Sequence, residues 1–306
     1  MKRLILIIVL LILGFEYSNA QQLPQFTQYM YNTIAINPAY AGSRGALSIV
    51  GLNRNQWAGF DGGPQTQTLS IHSPLRNEKV GLGLSMMNDK TGYENLTYIY
   101  GDFSYTIQGN ENYKISFGLK AGLTTYKLAS ELYNSAVNGS DQYFNDRLDR
   151  VNPNFGAGIL FHSNKWYLGL SIPKLLTNDL NDTEYAALEV VHYYGIGGYV
   201  FELNKNLKLK PSFMMKYTKG AALSTDLTAN LLFDEKIWFG GSYRINGAQR
   251  AFGALVDFQV SEQFRVGYTY EVPTGEIRPY TTGSHEILLM YEFKYTKNKM
   301  KSPRYF

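Results

Sequence analysis

A long run of alternating apolar and polar residues constrains the fold of this chain more than any other feature. In the segment Asn112–Lys127 (NYKISFGLKAGLTTYK), apolar or aromatic side chains occupy every second position from Tyr113 to Leu123, with Lys, Ser and Gly between them. A period of two is that of a β-strand, whose successive side chains point to opposite faces. The run is about twice the usual strand length, and a tilted strand needs about 9–11 residues to cross a bilayer. The segment therefore predicts a membrane-spanning strand.

The beginning of the chain has the pattern of a secretory signal peptide. Met1-Lys2-Arg3 is followed by the apolar run Leu4–Leu13 and by Ser18-Asn19-Ala20, so residues 1–20 are interpreted as a signal peptide cleaved after Ala20. The 306 residues include no Cys, which excludes a disulfide framework and argues against a lipoprotein anchor. No later apolar run is long enough for a transmembrane helix, so a membrane location requires a closed barrel.

Charge argues against nucleic acid as a partner. The formal net charge is only +4, and the charged residues are scattered one per strand or grouped in turns. A nucleic-acid-binding protein would show a basic stripe with interleaved aromatic residues.

Alternating segments recur from residue 45 to residue 296 and total about fourteen, an even number, as in bacterial outer-membrane barrels. Their connections alternate between short charged turns, such as Asp234-Glu235-Lys236, and mostly longer ones. The longer ones include the glycine-rich loop Arg54–Pro64, the loop Asn88–Asn95, and the polar loops Leu128–Asn152 and Pro173–Glu189. This sorting predicts an all-β fold: a transmembrane antiparallel β-barrel of about 14 strands, with its short turns in the periplasm and a short N-terminal non-strand segment.

The charged face of the strands is predicted to line the lumen. In Leu207–Tyr217, for example, Lys208, Lys210 and Lys216 share one face, and Asp226 and Glu286 lie on the corresponding charged face of their own strands. An Arg or Lys on the lipid face costs about 2–4 kcal/mol at the membrane midplane. Luminal charges of both signs can pair, which favours a filled or gated interior over an open pore. Pro211 has no N–H to donate, so a bulge is expected there.

Residues 21–44 do not alternate and are assigned to an N-terminal docking or plug segment. Asn37-Pro38 predicts a turn at the end of a short helix, whose apolar residues fall at helical spacing: Phe26, Tyr29, Met30, Thr33 and Ile34. Two interpretations remain open: a strap packed against the domain, which we favour, and a plug or partner-contact segment. At the other end, residues 297–306 form a basic tail, which is either solvated or bound by a periplasmic partner.

The polar residues give little indication of catalysis or metal binding. His285 and Glu286 are adjacent in a strand, so their side chains lie on opposite faces and form neither a dyad nor a metal site. A cluster in the second long loop lacks the spacing of an EF-hand, and a solvated loop is favoured over a Ca²⁺ site: Asp179, Asn181, Asp182 and Glu184. The chain is predicted not to be an enzyme, with no catalytic or metal-binding residue and no cofactor.

Seven segments together resemble a known family: Pro24–Gly42, Asn55–Pro64, Gly81–Gly92, Asn154–Leu176, Pro211–Tyr217, Gly240–Arg244 and Gly283–Tyr291. The most specific pair is NPAYAG at residues 37–42 with GSHE at residues 283–286. In this order they are similar to the PorP/SprF family, outer-membrane proteins of the Bacteroidetes type IX secretion system that are linked to gliding motility. The resemblance implies a non-enzymatic barrel that helps a secreted, adhesin-like surface protein cross the outer membrane or stay attached to it. It also implies three partners: that surface protein, type IX translocon subunits and the lipid bilayer.

Nine residues are candidates for partner contact: Asn37, Pro38, Tyr40, Trp57, Phe60, Gly283, Ser284, His285 and Glu286. Trp57 and Phe60 are either exposed aromatics of a surface site or girdle and packing aromatics. Partner choice is expected to reside in the long polar loops. The alternative function is a passive or substrate-specific outer-membrane porin. A soluble exported β-propeller is disfavoured because its blades need neither strands this long nor loops sorted by side.

Overall fold

Residues 23–110, 113–129, 149–179 and 188–293 are described by the computed structural model. The predicted signal peptide, the basic tail of residues 297–306, most of the loop Leu128–Asn152, and Asn181, Asp182 and Glu184 lie outside these ranges.

Fourteen antiparallel strands in the described ranges form one sheet. They are β1 Leu47–Ala58, β2 Gln65–Pro74, β3 Val80–Thr91, β4 Glu94–Asn110, β5 Tyr113–Leu128, β6 Asp149–His162, β7 Trp166–Ile172, β8 His192–Tyr199, β9 Leu207–Thr218, β10 Ser224–Phe233, β11 Ile237–Asn246, β12 Gln249–Gln259, β13 Phe264–Thr274 and β14 Gly283–Phe293. After one residue, β8 continues as Phe201–Glu202, which also pairs with β9. A separate two-residue ladder joins Asn178–Asp179 to Leu188–Glu189.

The sheet closes on itself. Each strand pairs with its neighbours in sequence, and β1 pairs with β14 from Leu47↔Phe293 to Asn55↔His285. Closure removes the free edges that an open sheet would present. The predicted barrel of about fourteen strands is confirmed.

Alternation along the strands separates a lipid-facing surface from the lumen. On β5, Phe117, Leu119 and Leu123 are 48%, 61% and 48% exposed, whereas Ser116 and Lys120 are buried. Other strands repeat this division: many of their outward side chains are large, apolar and exposed, and many of their luminal ones are charged and buried. The charged face therefore lines the lumen, as predicted.

Connections alternate between two rims. We call the end of the barrel that carries Asp234-Glu235-Lys236 the short-turn rim, and the other end the long-loop rim. Some strands extend into predicted loops: β3 reaches Thr91 and β4 starts at Glu94, which shortens the predicted loop Asn88–Asn95 to two residues. Polar residues continue the ladder there because their backbone groups pair irrespective of side chain.

Pro211 does not produce the expected bulge. Its pairing with Ala229 of β10 lies in an unbroken register. On the β8 side the ladder lapses around Val200 and resumes in the same register. The N–H of Val200 faces β7 and donates to the carbonyl of Lys165, which continues that ladder. The missing donor of Pro211 is therefore accommodated by a local gap in the β8–β9 ladder rather than by an extra residue.

Residues 23–44, which we call the luminal segment, lie inside the barrel. They form turns and two 3-10 helices, Thr33–Ala35 and Pro38–Tyr40, so the predicted α-helix is wrong. The strap interpretation is also wrong, because hydrogen-bonding partners of the segment face the lumen from strands all around the ring. No helix in the described ranges is long and apolar enough to span a membrane.

Candidate functional site

Two arginines and three carboxylates form an ionic cluster in the half of the lumen nearer the long-loop rim. Arg54 of β1 lies 2.8 Å from Glu271 of β13 and 3.2 Å from Glu286 of β14. Arg244 of β11 lies 2.6 Å from Asp226 of β10 and 3.1 Å from Glu271. We call these five residues the arginine–carboxylate cluster. Because they are largely withdrawn from water, each charge depends on its partners to offset desolvation.

The cluster binds the backbone and side chains of the luminal segment. The N–H groups of Thr27 and Gln28 donate to the two carboxylate oxygens of Glu286, at 3.0 and 2.7 Å. The amide of Gln25 donates to Asp226 at 2.6 Å. Three carboxylates face only two guanidinium groups, and these neutral donors satisfy the remaining oxygen lone pairs.

Lys120 holds the first 3-10 helix against the opposite wall. Its ammonium donates to the carbonyls of Ile34 and Ala35 and to the hydroxyl of Ser85, each at 3.1 Å. Asp102 lies 3.3 Å from the same nitrogen. A β5 lysine with all its donors occupied thus stabilises the first 3-10 helix by binding two of its carbonyl groups.

Glycines of β5 and β6 form a platform for the second 3-10 helix. A side chain at Gly118 would overlap the backbone of Ala39, and one at Gly158 would overlap the amide of Asn37. The Asn37 side chain donates to the carbonyl of Ile159 at 3.1 Å and accepts from the N–H of Ala39 at 3.0 Å. Asn37-Pro38 thus docks directly on the barrel wall.

Tyr40 and the last residues of the luminal segment are fixed near the short-turn rim. The Tyr40 ring packs edge-on against His72 at 5.4 Å, and His72 accepts the N–H of Gly42 at 3.1 Å. Arg44 donates to the Tyr40 hydroxyl at 3.3 Å and pairs with Glu292 of β14. The segment is therefore anchored at both rims.

Cationic side chains also surround Tyr31 in the short-turn half of the lumen. Lys210 and Arg265 each lie 5.0 Å from the Tyr31 ring centre, and Lys210 lies 4.5 Å from that of Trp238. Such contacts strengthen when water is excluded.

A cavity of about 440 Å³ lies at the long-loop end of the lumen. Its floor is formed by Leu23, Pro24 and Gln25, and side chains of both charges line it. The N–H of Leu23 donates to His192 at 3.2 Å, and its carbonyl accepts from Lys216 at 2.7 Å. We call this cavity the vestibule.

A buried ion pair fixes the described ends of the β7–β8 connection beside the vestibule. Lys174 pairs with Glu189, and its ammonium lies 3.5 Å from the ring centre of Tyr98. Burial lowers the pKa of Lys174 to about 8, although Glu189 opposes this shift. Glu189 also receives hydrogen bonds from Asn154 and Thr124.

Two aromatic residues, Trp57 and Phe60, lie at the long-loop rim. Trp57 has a positive φ of 56° where the β1–β14 register shifts, and its N–H donates to Ser284 at 3.1 Å. The Phe60 ring is 43% exposed and lies edge-on to Trp57 at 6.4 Å. Gly283 has a φ of 125°, and a side chain there would meet the Tyr270 ring at 2.6 Å.

The candidate residues divide by exposure. Only Trp57, Phe60 and His285 retain exposed surface, whereas six are buried: Asn37, Pro38, Tyr40, Gly283, Ser284 and Glu286. His285 faces outward and shares a 2.7 Å hydrogen bond with Tyr268, on the face opposite Glu286. Glu286 of the motif at 283–286 holds the beginning of the luminal segment, whereas the motif at 37–42 is itself the part of the segment that docks on the barrel wall toward the short-turn rim. Contact of the nine residues with a partner remains a prediction.

No group of three His, Asp or Glu residues in the described ranges is placed to hold a metal ion. Of the predicted loop cluster, only Asp179 is described, in the short ladder with Leu188. The Ca²⁺ interpretation therefore stays untested.

Sequence reasoning missed several residues of the site. It assigned Arg54 to a glycine-rich loop, although Val50, Leu52 and Arg54 continue one inward-facing row of β1. It placed Asp226 and Glu286 on the luminal face but gave them no partners, because pairing across the lumen has no local signal.

Comparisons with known proteins identify a family and a fold. The family profile described as "Type IX secretion system membrane protein PorP/SprF" matches residues 18–291. No curated protein matches the chain in sequence.

Several solved outer-membrane structures are similar. The CymD monoaromatic hydrocarbon channel superposes with a TM-score of 0.52 at 12% identity, covering 92% of this chain and 96% of that one. Omp33 of Acinetobacter baumannii gives a TM-score of 0.49 at 8% identity, covering 81% and 98%. A FadL homologue of Pseudomonas aeruginosa gives 0.48 at 12% identity, covering 90% and 96%. At this identity the likeness to CymD shows the barrel fold alone.

Proposed function

Because the chain belongs to the PorP/SprF family of type IX secretion system membrane proteins, we propose that it binds a secreted, adhesin-like surface protein. In this proposal it supports the export of that protein or its attachment to the cell surface, and thereby gliding motility. The protein itself is an outer-membrane β-barrel and a membrane component of that secretion system. Its role is to hold other proteins, without catalysis.

The occupied lumen is the observation that carries the proposal. Glu286 and Lys120 bind the luminal segment from opposite walls, and Arg44 and Leu23 fix it near the two rims. A porin depends on a continuous polar passage, whereas a docking protein gains from a rigid interior. The Arg44–Glu292 ion pair and the hydrogen bonds of Glu286 and Lys120 to the segment favour rigidity, because releasing the segment would leave these buried charged groups with fewer partners.

We place partner contact at the long-loop rim. Trp57 and Phe60 are exposed or half-exposed there, and aromatic residues are enriched where proteins bind one another. Buried candidates such as Asn37 and Glu286 would then act indirectly, by fixing the position of the luminal segment, whose first residues form the floor of the vestibule. Translocon subunits of the same secretion system are the second class of partner.

A porin is the alternative function. The support for it from the similar channel protein is limited to the barrel fold that the two share. Conduction through this barrel would require the luminal segment to leave. The two functions therefore differ in what is recovered with the protein and in whether it conducts.

The test is affinity purification of the protein, tagged at its C-terminus, from gently solubilised outer membranes. We expect a large secreted protein, with or without secretion subunits, to be identified by mass spectrometry. Trp57→Ala with Phe60→Ala should reduce its recovery at least tenfold. Tyr280→Ala, which removes a 67% exposed aromatic from another long-loop connection, is the matched control.

Heat-modifiable migration in gels checks that each variant is folded. Recovery of the barrel alone, with ion conductance in a planar bilayer, would establish the porin and refute the docking function. Unchanged recovery with the double variant would show that partner contact lies elsewhere.

A further inference from the structure

The lipid-facing surface of the barrel is apolar over a constant depth on most strands. Counting residues from the short-turn rim measures depth, because the strands share one tilt. The outward face of β11 stays apolar, aromatic or glycine to Ile245, eight residues from Ile237, and that of β13 to Val272, eight residues from Phe264. At about 3.3 Å per residue and a tilt of about 40°, eight residues span about 20 Å along the membrane normal. This fits an apolar band about 25 Å tall.

The band is interrupted on β1 and β2. Asn53 faces outward only six residues from Leu47, and Gln67 only seven residues from Pro74. At these counts both amides lie about 15–18 Å above the short-turn ends, a depth at which β11 and β13 present apolar or aromatic side chains.

Four neighbouring residues form one continuous polar area. Asn53 pairs with Gln67 across β1 and β2, and Asn55 pairs with His285 across β1 and β14. We call Asn53, Asn55, Gln67 and His285 the lateral amide patch. Tyr268, bound to His285, extends it onto β13.

The three amides of the patch are exposed, and their side chains form no hydrogen bond with the described residues. An amide that faces lipid without a partner is unfavourable, since hydrocarbon offers no hydrogen bonds. Within the membrane, polar side chains usually form hydrogen bonds with other protein groups rather than facing lipid. We propose that the lateral amide patch is an interface, within the membrane, between two copies of this chain.

The chemistry of the patch selects a second copy as the occupant. Amide and imidazole groups each donate and accept hydrogen bonds, so two such patches complement each other when related by a two-fold axis. The patch contains no Asp, Glu, Lys or Arg, so it offers no fixed charge to repel a second copy or to attract an ionic partner. The nearest lysine on this side, Lys90, lies ten residues from Val80, at the edge of the band.

Two differently tagged copies expressed together test the proposal. Purification through one tag should recover the other copy with the wild-type protein. Asn53→Leu with Gln67→Leu should reduce that recovery at least tenfold. Heat-modifiable migration should persist in this variant, because leucine is an apolar residue compatible with a lipid-facing position. Phe252→Leu, at the same depth on β12, is the control and should change nothing. Failure of wild-type copies to copurify, or equal recovery with the double variant, would overturn the proposal.

Disulfide trapping locates the interface independently. The chain has no native cysteine, so Asn53→Cys, Gln67→Cys and the control Phe252→Cys each provide one thiol. On oxidation in the membrane, we expect a covalent homodimer from at least one patch variant and none from the control. A disulfide to a different protein, or equal homodimer from the control, would refute a second copy as the occupant. Neither experiment depends on the secreted partner, so this inference and the proposed function fail separately.

Discussion

Glu286→Gln removes the charge that holds the beginning of the luminal segment. In the wild type, Glu286 accepts the N–H groups of Thr27 and Gln28 and lies 3.2 Å from Arg54. A glutamine has the same shape but only one oxygen. Its NH₂ group would therefore face one of these donors, while Arg54 keeps Glu271 as its remaining partner.

The magnitude follows from the burial of the group. Removing one partner of a buried ion pair costs about 3–5 kcal/mol, and a hydrogen bond to a charged group contributes about 1.5–3 kcal/mol. These contributions overlap, so we take about 3 kcal/mol as the loss that falls on the luminal segment. At about 1.4 kcal/mol per factor of ten, the released population should rise about 100-fold.

A thiol inside the lumen reports this release. Met30→Cys places the only cysteine of the chain on the luminal segment, where the native side chain is 1% exposed. Its rate of labelling by a membrane-impermeant maleimide should rise about 100-fold when Glu286→Gln is added. Planar-bilayer conductance should rise with it, since the same segment occupies the lumen.

Glu276→Gln is the matched control, because Glu276 is an exposed carboxylate in the β13–β14 connection. It should leave the labelling rate unchanged. If Glu286→Gln labels within twofold of the Met30→Cys parent, while both proteins remain heat-modifiable, Glu286 does not retain the segment and the reasoning is refuted.

Three substitutions test the wall of the barrel through the free energy of unfolding in urea, followed by tryptophan fluorescence. Gly118→Ala should destabilise by about 1–3 kcal/mol, because its methyl group overlaps the backbone of Ala39. Lys120→Met should destabilise by about 3–5 kcal/mol, because it leaves Asp102 buried without its cation. Leu119→Lys should destabilise by about 2–4 kcal/mol, because it turns a cation toward lipid.

Each substitution has a counterpart that separates the mechanism from a general effect of mutation. Gly51→Ala should be mild, because its added carbon meets only the carbonyl of Thr68 at 4.0 Å. Lys165→Met breaks an exposed pair with Glu202 and should cost less than about 1 kcal/mol. Leu119→Ile keeps the lipid face apolar. Losses as large as those of the paired variants would contradict the packing, ion-pair and lipid-face arguments respectively.

The barrel was predictable because its information is local. Each residue of β5 reveals its face by its position in a period of two, and a shift by one would turn Lys114 and Lys120 toward lipid. The number of strands and the sorting of their connections follow from repeating this pattern along the chain.

The luminal segment was not predictable in the same way. Its apolar residues fall at helical spacing, but several of its backbone groups are bound by the wall of the barrel. Lys120 takes the carbonyl of Ile34 and Glu286 takes the N–H of Gln28. Partners 86 and 258 residues away thus decide its conformation, and no local pattern encodes them.

The candidate site was predicted in part. The motif at 283–286 was recognised as distinctive, and Glu286 was placed on the luminal face. Its function of holding Thr27 and Gln28 emerges only when β14 closes on β1. Arg54 was assigned to a loop because glycines follow it, whereas pairing with Glu286 and Thr66 keeps it in the strand.

The order of assembly follows from where the luminal segment is tied. Thr27 and Glu286 are 259 residues apart, so residues near the beginning of the chain complete their contacts only when its last strands arrive. Arg44 holds the segment at one rim and Leu23 is bound at the other. In a ring already sealed, the segment would have to be threaded lengthwise through the lumen. Strands that gather around the segment avoid this threading, and pairing of β1 with β14 then closes the ring around it.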